Sequence, residues 1–461
     1  MDFTARVLFV LISLLTAVLI KQYYDLSKPY PVPKMDLDEY WGPGDKAQYK
    51  EDKELVVNKL YYDEEIIDDL RQRLNRTLNL HEPLEGVGFE YGVNTDYLAK
   101  FVKYWRDDYL ARWREREIYL WRFPHFTTHI QGLRMHYLHT KARSDEKRQV
   151  FPVLLLHGWP GSVREFYDVI PKLADPEGNS NYVFEVVVPS LPGYGWSQAS
   201  SKAGLGPTEI AVVMRNLMLR LGYKKFFVQG GDWGALIGSN IAALFPENVI
   251  GFHSNMCVLL TPIAVAKGLI AQVYPSYFIE KEFEHLFFPY TDKLLTLVEE
   301  SGYFHIQATK PDTIGTALTE NPVGLAGYLL EKFSTWTNPD YRKLKDGGVE
   351  MDFTLDQLLD NIMIYYLTNS ITTSQRLYAE AYTKRTRSYK MDRVQVHVPT
   401  GCARFKDDLL VSFDWQLKDK YTNLIHSTYH KKGGHFAAFE VPDEFFKDFM
   451  QFVDKVIALE K

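Results

Sequence analysis

Phe226-Phe227-Val228-Gln229-Gly230-Gly231-Asp232-Trp233-Gly234-Ala235-Leu236-Ile237 begins as a short apolar run, turns through two glycines and continues as an apolar helix-forming stretch. The aspartate between turn and helix has Gly230 two residues before it and Gly234 two residues after it. This is the small-x-nucleophile-x-small pattern of a strand-to-helix elbow. The glycines permit a strained turn, and the central side chain projects at the amino end of the helix. A carboxylate there needs no base to activate it. The helix dipole favours its ionised form, and it can attack an electrophilic carbon to give an ester. The plainer reading is an aspartate capping a helix after a Gly-Gly turn. On this stretch alone both stand.

Working outward, Val150 to Leu156 is a continuous apolar run ending at His157-Gly158, the signature of a central parallel strand, and Val183 to Val188 repeats the form. A helical stretch from Thr208 to Leu221 precedes the Phe226 strand, and Gln131 to His139 alternates like a half-buried strand. The alternation of strand and helix is that of a doubly wound parallel α/β sheet. From about Leu260 to Arg393 it stops, and the chain becomes aromatic and mainly helical, including Leu358 to Tyr382. Strand-like Val394 to Val398 and Asn423 to Tyr429 then resume. A helical insertion that roofs the carboxyl ends of the strands is the economical interpretation.

Two loops give the aspartate its company. His157-Gly158-Trp159-Pro160-Gly161-Ser162 follows a buried strand where an oxyanion-hole loop belongs. A backbone N–H there, with that of the residue after the nucleophile, assigns the hole to Trp159 and Trp233. Lys432-Gly433-Gly434-His435-Phe436 puts one of 13 histidines on a Gly loop after a late strand. That suits the chain order nucleophile, acid, histidine of an α/β-hydrolase, with the acid expected in the Asp407-Asp408 pair. Most histidines are surface or core residues, and position alone singles this one out.

The 461 residues carry a net charge of -6 with basic and acidic residues mixed, which leaves no electrostatic case for nucleic acid. Aromatic content of 15% fits a large apolar pocket, a membrane-facing surface or merely a Phe-rich core. Two cysteines, Cys257 and Cys402, allow at most one bridge, and a reducing compartment is the simplest setting. Phe3 to Tyr24 spans roughly 33 Å as a helix, enough to cross a bilayer with Arg6 and Lys21 near its ends. The uncharged part, Val7 to Ile20, is shorter, so a cleaved signal competes with a retained anchor. The lack of a small-x-small site after the apolar run favours the anchor. Ser27 to Pro33 is a stiff linker, Tyr40-Trp41-Gly42-Pro43-Gly44 a turn-rich knot, and residues 50 to 122 read as helices, in Glu64 to Leu74 and Tyr97 to Trp121.

The HGWPGS run at 157–162, the Gly-Gly-Asp-Trp-Gly elbow, Val398-Pro399-Thr400-Gly401 and Gly433-Gly434-His435-Phe436-Ala437-Ala438-Phe439-Glu440 together resemble microsomal epoxide hydrolases, above all their insect branch, the juvenile hormone epoxide hydrolases. The resemblance spans nearly the whole chain. It implies an α/β-hydrolase fold with a membrane anchor (1–24), an N-terminal wrapping segment (25–129), a core in two parts (130–260 and 394–461) and a helical lid (261–393). It implies nucleophile Asp232, base His435, charge-relay acid Asp408 with Asp407 as rival, and lid tyrosines Tyr303 and Tyr378 that no composition or spacing would select. Asp408 departs from the Glu that mammalian members carry. The implied reaction opens a lipophilic epoxide, juvenile hormone in the insect branch, to its diol, without metal or organic cofactor. It implies an endoplasmic reticulum membrane with the body on the cytoplasmic face. A haloalkane dehalogenase-like hydrolase, with the two tryptophans holding a halide, and a carrier that has lost turnover are the alternatives. Oligomeric state is not read from the sequence.

Overall fold

The computed structural model describes residues 3–58, 62, 64–143, 148–176 and 181–459; residues 1 and 2 of the expected anchor and the side chain of Arg6 lie outside it. Among the described residues nine strands form one sheet: β1 (Val56–Val57), β2 (His125–Ile130), β3 (Leu133–Thr140), β4 (Gln149–Leu156), β5 (Tyr182–Pro189), β6 (Phe226–Gly230), β7 (Val249–Ser254), β8 (Thr400–Arg404) and β9 (Leu424–Tyr429). Their order is β1-β2-β3-β5-β4-β6-β7-β8-β9. From β5 to β9 across the sheet the pairs are parallel, and the β1–β3 edge is antiparallel. The chain leaves β4 first to one side, for β5, and then to the other, for β6. This reversal opens a crevice beyond the carboxyl ends of β4 and β6, where a doubly wound sheet binds its ligands. His157 follows β4 and Asp232 follows β6, so the two loops face each other across it.

Several elements differ from the sequence reading. Gln131 and Gly132, taken as the start of a strand, have φ of 53° and 82° and form the two-residue turn joining the unforeseen β2 to β3. Val394 to Val398 is no strand. Val396 makes one isolated bridge to Tyr421, and the sheet strand is Thr400–Arg404. Its residues are small because the sheet's cover presses on them: a Cβ on Gly401 would stand 2.6 Å from the Phe452 ring. A strand of Thr, Gly, Cys and Ala carries little apolar signal, which is why it escaped notice. The helix expected over Leu358 to Tyr382 is two, Leu355–Leu367 and Ile371–Ala381, divided where Asn369 takes φ 52°. Tyr97 to Trp121 is likewise broken, by a π-turn at Trp105–Tyr109.

The two cysteines are bonded, Cys257 just after β7 and Cys402 within β8. The bond ties the point where the chain leaves for the helical insertion to the point where it returns, 145 residues later. The reducing surroundings inferred from the cysteine count lose their ground here. At the amino end, Phe3–Ser27 is one helix. Its Val7–Ser27 part has mean hydropathy 1.9 and is not buried against the body. Arg393 fastens its carboxyl end, donating from Nη2 to the carbonyls of Asp25 (2.7 Å) and Lys28 (2.8 Å). The aromatic knot that follows is held by tertiary contacts. Trp41 is buried, its N–H donates to the Gln131 carbonyl (2.9 Å), and Arg385 lies over its ring.

One buried carboxylate joins the three parts of the chain. Asp360, on the insertion helix Leu355–Leu367, accepts from Arg164 Nε (3.0 Å) next to the HGWPGS loop, and from Arg116 Nη2 (2.6 Å) and Tyr109 (3.0 Å) of the N-terminal segment. Its neighbours on the same helix bond the loop directly: Asn361 Nδ2 donates to the Pro160 carbonyl (2.8 Å), Ser162 Oγ to Asn361 Oδ1 (2.7 Å), and Tyr365 to the Gly161 carbonyl (2.8 Å). Removing one partner of such a set strands the others in the interior. Asp360→Ala should lower unfolding free energy by about 3–5 kcal/mol, read from chemical denaturation; a loss under about 1 kcal/mol would mean the arginines find other partners.

Candidate active site

The elbow places Asp232 as the first residue of the helix Asp232–Leu244, with φ of 48°. A non-glycine residue in this left-handed region is strained and is held there by its surroundings. Close packing does the holding: a Cβ on Gly234 would stand 2.0 Å from the Leu156 carbonyl oxygen, and one on Gly158 would stand 2.3 Å from the Asp232 carboxylate. Both glycines let backbone approach where any side chain would block it.

The carboxylate has one partner on each side. Its Oδ1 accepts from the Trp159 N–H at 2.8 Å, and its Oδ2 stands 3.3 Å from His435 Nε2. Trp233 follows it, but among the described residues no hydrogen bond runs from the Trp233 N–H to this carboxylate. His435 Nδ1 meets Asp408 Oδ1 at 2.8 Å, and the side chain of Asp408 is buried. Its oxygen also accepts from the Leu409 N–H (2.8 Å). Asp407 makes no bond to His435 and lies 3.8 Å from Lys406. The His435 loop is itself gripped. The His435 N–H donates to the Trp336 carbonyl (2.9 Å), while Glu440 accepts from the N–H groups of Gly434 (2.6 Å) and Phe436 (2.8 Å) on either side. Three other histidines, His253, His426 and His430, are occupied elsewhere, all bonded to Asp448.

The insertion supplies the roof. Tyr303 stacks on the Trp159 ring with centroids 5.5 Å apart, and Tyr378 meets the Trp233 ring edge-on at 4.8 Å. Tyr378 is fully buried, and its hydroxyl lies within hydrogen-bonding reach of Tyr303 and of the Trp233 indole. Burial, reinforced by the Asp232 charge, holds both phenols well above their ordinary range, so both are protonated donors.

Sequence reasoning missed one carboxyl. Glu165, on the short turn Val163–Phe166, lines with Asp232, His435 and Asn255 a cavity of about 10 Å³ measured to the water centre, room for a single water. Gly161 lacks a side chain because Glu165 fills that space, its Oε1 lying 1.4 Å from where a Cβ would be. The only hint in the sequence was Glu165's place four residues after that glycine. Burial pushes the Glu165 carboxyl up to about 8, so at neutral pH it carries a proton it can donate. Among the described residues no group of three or more His, Cys, Asp or Glu has the arrangement of a metal site.

Charge decides how the site rests. Burial opposes protonation of His435, yet Asp232 on one side and Asp408 on the other outweigh it and raise the ring from 6.5 to about 10. The folded chain therefore binds this proton more tightly than the unfolded one. The resulting stabilisation is complete below pH 6.5 and is lost as pH rises toward about 10. His435→Gln should remove that part of the decline when denaturation is followed across this range. An unchanged slope would assign the titration to another group.

Two family profiles match the chain: "Epoxide hydrolase N terminus" over residues 57–166 and "alpha/beta hydrolase fold" over residues 152–402. The chain is 48% identical over 433 residues to juvenile hormone epoxide hydrolase 1 of Ctenocephalides felis, covering 94% of this chain and 92% of that one. It is 43% identical over 437 residues to epoxide hydrolase 1 of Sus scrofa, covering 94% and 95%. The crystal structure of juvenile hormone epoxide hydrolase from the silkworm Bombyx mori superposes with a TM-score of 0.90 at 45% identity, over 93% of this chain and 100% of that one.

Proposed function

The chain belongs to the epoxide hydrolases, and from that premise we propose that it hydrates a lipophilic epoxide to a diol through an ester on Asp232. The observation that carries this reading is the pair of phenols, half-buried Tyr303 and buried Tyr378, packed on the two tryptophans beside a carboxylate that already faces a histidine. An epoxide oxygen acquires negative charge as its ring opens, and two protonated phenols in a dry site are the donors it needs.

In the first step Asp232 Oδ2 attacks a ring carbon, the C–O bond breaks, and the oxygen takes a proton from the tyrosine pair. The product is a neutral glycol ester. The Trp159 N–H, already on Oδ1, holds the oxygen that becomes the ester carbonyl, and the Trp233 N–H completes the oxyanion hole. Esterification also removes one of the two charges that keep His435 protonated. The ring then falls toward its ordinary range and gives up its proton to the tyrosinate left by ring opening, so the phenol is restored and His435 is a neutral base at the stage where a base is needed. It takes a proton from a water in the small cavity, oriented by Glu165 and Asn255, and hydroxide adds to the ester carbonyl carbon. In the collapse the bond to the glycol oxygen breaks and the proton of the added hydroxyl passes to that oxygen, so the diol leaves, Asp232 is again a carboxylate and His435 is again protonated. Asp408 keeps the imidazole in the tautomer and orientation this requires.

Relatives named for juvenile hormone, similar over most of this chain, support that sesquiterpenoid ester epoxide as substrate. The buried, aromatic-lined roof suits its apolar body. The helix Phe3–Ser27 supports a retained anchor in the endoplasmic reticulum membrane, where apolar epoxides partition.

Single turnover in heavy-oxygen water separates the steps. The first diol should be unlabelled, with label entering the Asp232 carboxylate as the ester hydrolyses and reaching the diol only in later turnovers; label in the first diol would end the ester proposal. In the same experiment Tyr303→Phe with Tyr378→Phe should stop before the ester, and His435→Gln should accumulate it. Asp408→Ala should slow ester hydrolysis by roughly 10²–10⁴ while Asp407→Ala leaves it near wild type.

A further inference from the structure

The helix Pro262–Ala271 and the turn at Pro275–Tyr277 present an apolar stripe in an unusual direction. Ala266, Leu269, Ile270, Val273, Tyr274 and Tyr277 recur at the spacing of one helical face, and that face points outward. Val273 is 83% exposed, Tyr277 79% and Tyr274 69%. The opposite face, Ile263, Ala264, Lys267, Gly268 and Ala271, is buried. From Thr261 to Ile279 the one charged residue is Lys267, and it turns inward to Asp419 (2.6 Å) and the Trp415 carbonyl (2.8 Å). No charge is left on the outer face. A contiguous exposed patch of this kind marks a contact surface.

Its position identifies the partner. The helix Phe3–Ser27, which is long and apolar enough to cross a bilayer, stays exposed but comes close to the helix Pro262–Ala271, and Arg393 clamps its carboxyl end to the body. The bilayer surface is thereby held next to the stripe. Exposed Tyr23 and Tyr24 near the end of the span, with Tyr274 and Tyr277 on the stripe, are the residues that favour the headgroup level. Beneath the stripe a separate apolar cluster, built on Ala271, Ile279, Leu286, Phe287 and Phe413, gives it a firm backing.

We propose that Leu269–Tyr277 is a second membrane contact, an interfacial element of the lid that lies in the outer bilayer layer beside the anchor. The surface belongs to the same insertion that carries Tyr303 and Tyr378, so the roof of the active site rests on the phase in which apolar epoxides dissolve. The inference rests on the anchor reading, and its test separates the two.

The full chain, with Val273→Cys, Leu14→Cys or Tyr91→Cys labelled by an environment-sensitive fluorophore, is reconstituted in phosphatidylcholine vesicles containing nitroxide-bearing lipid. Position 14 reports the span, and position 91 is an exposed site of the N-terminal segment. Quenching at 273 should exceed that at 91 by about threefold or more, and position 14 should be quenched from deeper nitroxides. If 273 matches 91 while 14 is quenched, the second contact is refuted and the anchor stands. If 14 is also unquenched, both fall. Protection of 273 from aqueous iodide that grows with protein concentration in lipid-free detergent would assign the stripe to a second copy and overturn the proposal. Ile270→Glu with Val273→Glu should raise KM severalfold for an epoxide presented in vesicles and leave kcat/KM for a water-soluble epoxide unchanged. Equal effects on both substrates would count against a membrane role.

Discussion

The Asp360 carboxylate, buried among Arg164, Arg116 and Tyr109, is the constraint on which the site depends. An ion in the interior must be matched closely or not be there at all, because its desolvation is offset only by well-placed partners. Here the partners come from three distant stretches of chain. The result is that the N-terminal segment, the HGWPGS loop and the insertion helix Leu355–Leu367 can close only in one relative arrangement. Asn361 and Tyr365, on the same helix, carry that arrangement to the Pro160 and Gly161 carbonyls. Trp159, whose N–H holds Asp232, sits one residue earlier. The long N-terminal segment thus helps position the Trp159 N–H, the oxyanion donor of the proposed reaction, without itself touching Asp232.

Within the site, charge does what geometry alone would not. His435 lies between two carboxylates and rests protonated. A protonated imidazole is no base. Under the two-step reading the first step removes the Asp232 charge and so releases the ring for the second. The same residue serves both stages because its proton affinity follows the covalent state of its neighbour. Glu165, neutral at ordinary pH, can sit near Asp232 without adding a third negative charge.

Access is a matter of phase as much as of shape. An apolar epoxide spends its time in lipid, and on the proposed anchor reading the enzyme meets it there. An uncharged face of the insertion beside the apolar amino-terminal helix suits work at the bilayer surface.

Much of this was legible in the residues. The strand runs Phe151–Leu156 and Phe226–Val228 are apolar throughout because both faces of the sheet are covered there, and the elbow glycines are required wherever backbone passes this close. Local chemistry of that kind writes itself into local sequence. Strand β8 did not, since its small residues answer to Phe452, distant in the chain and adjacent in space. The choice between Asp407 and Asp408 could not be read from two identical neighbours; in the fold one lies against His435 and the other against Lys406. Glu165 was likewise silent, because a carboxyl in a turn acquires its proton and its cavity from burial. What sequence determined by itself was the set of elements whose pattern repeats along the chain. What the tertiary structure decided was every feature that depends on which residues, remote in sequence, share a dry interior.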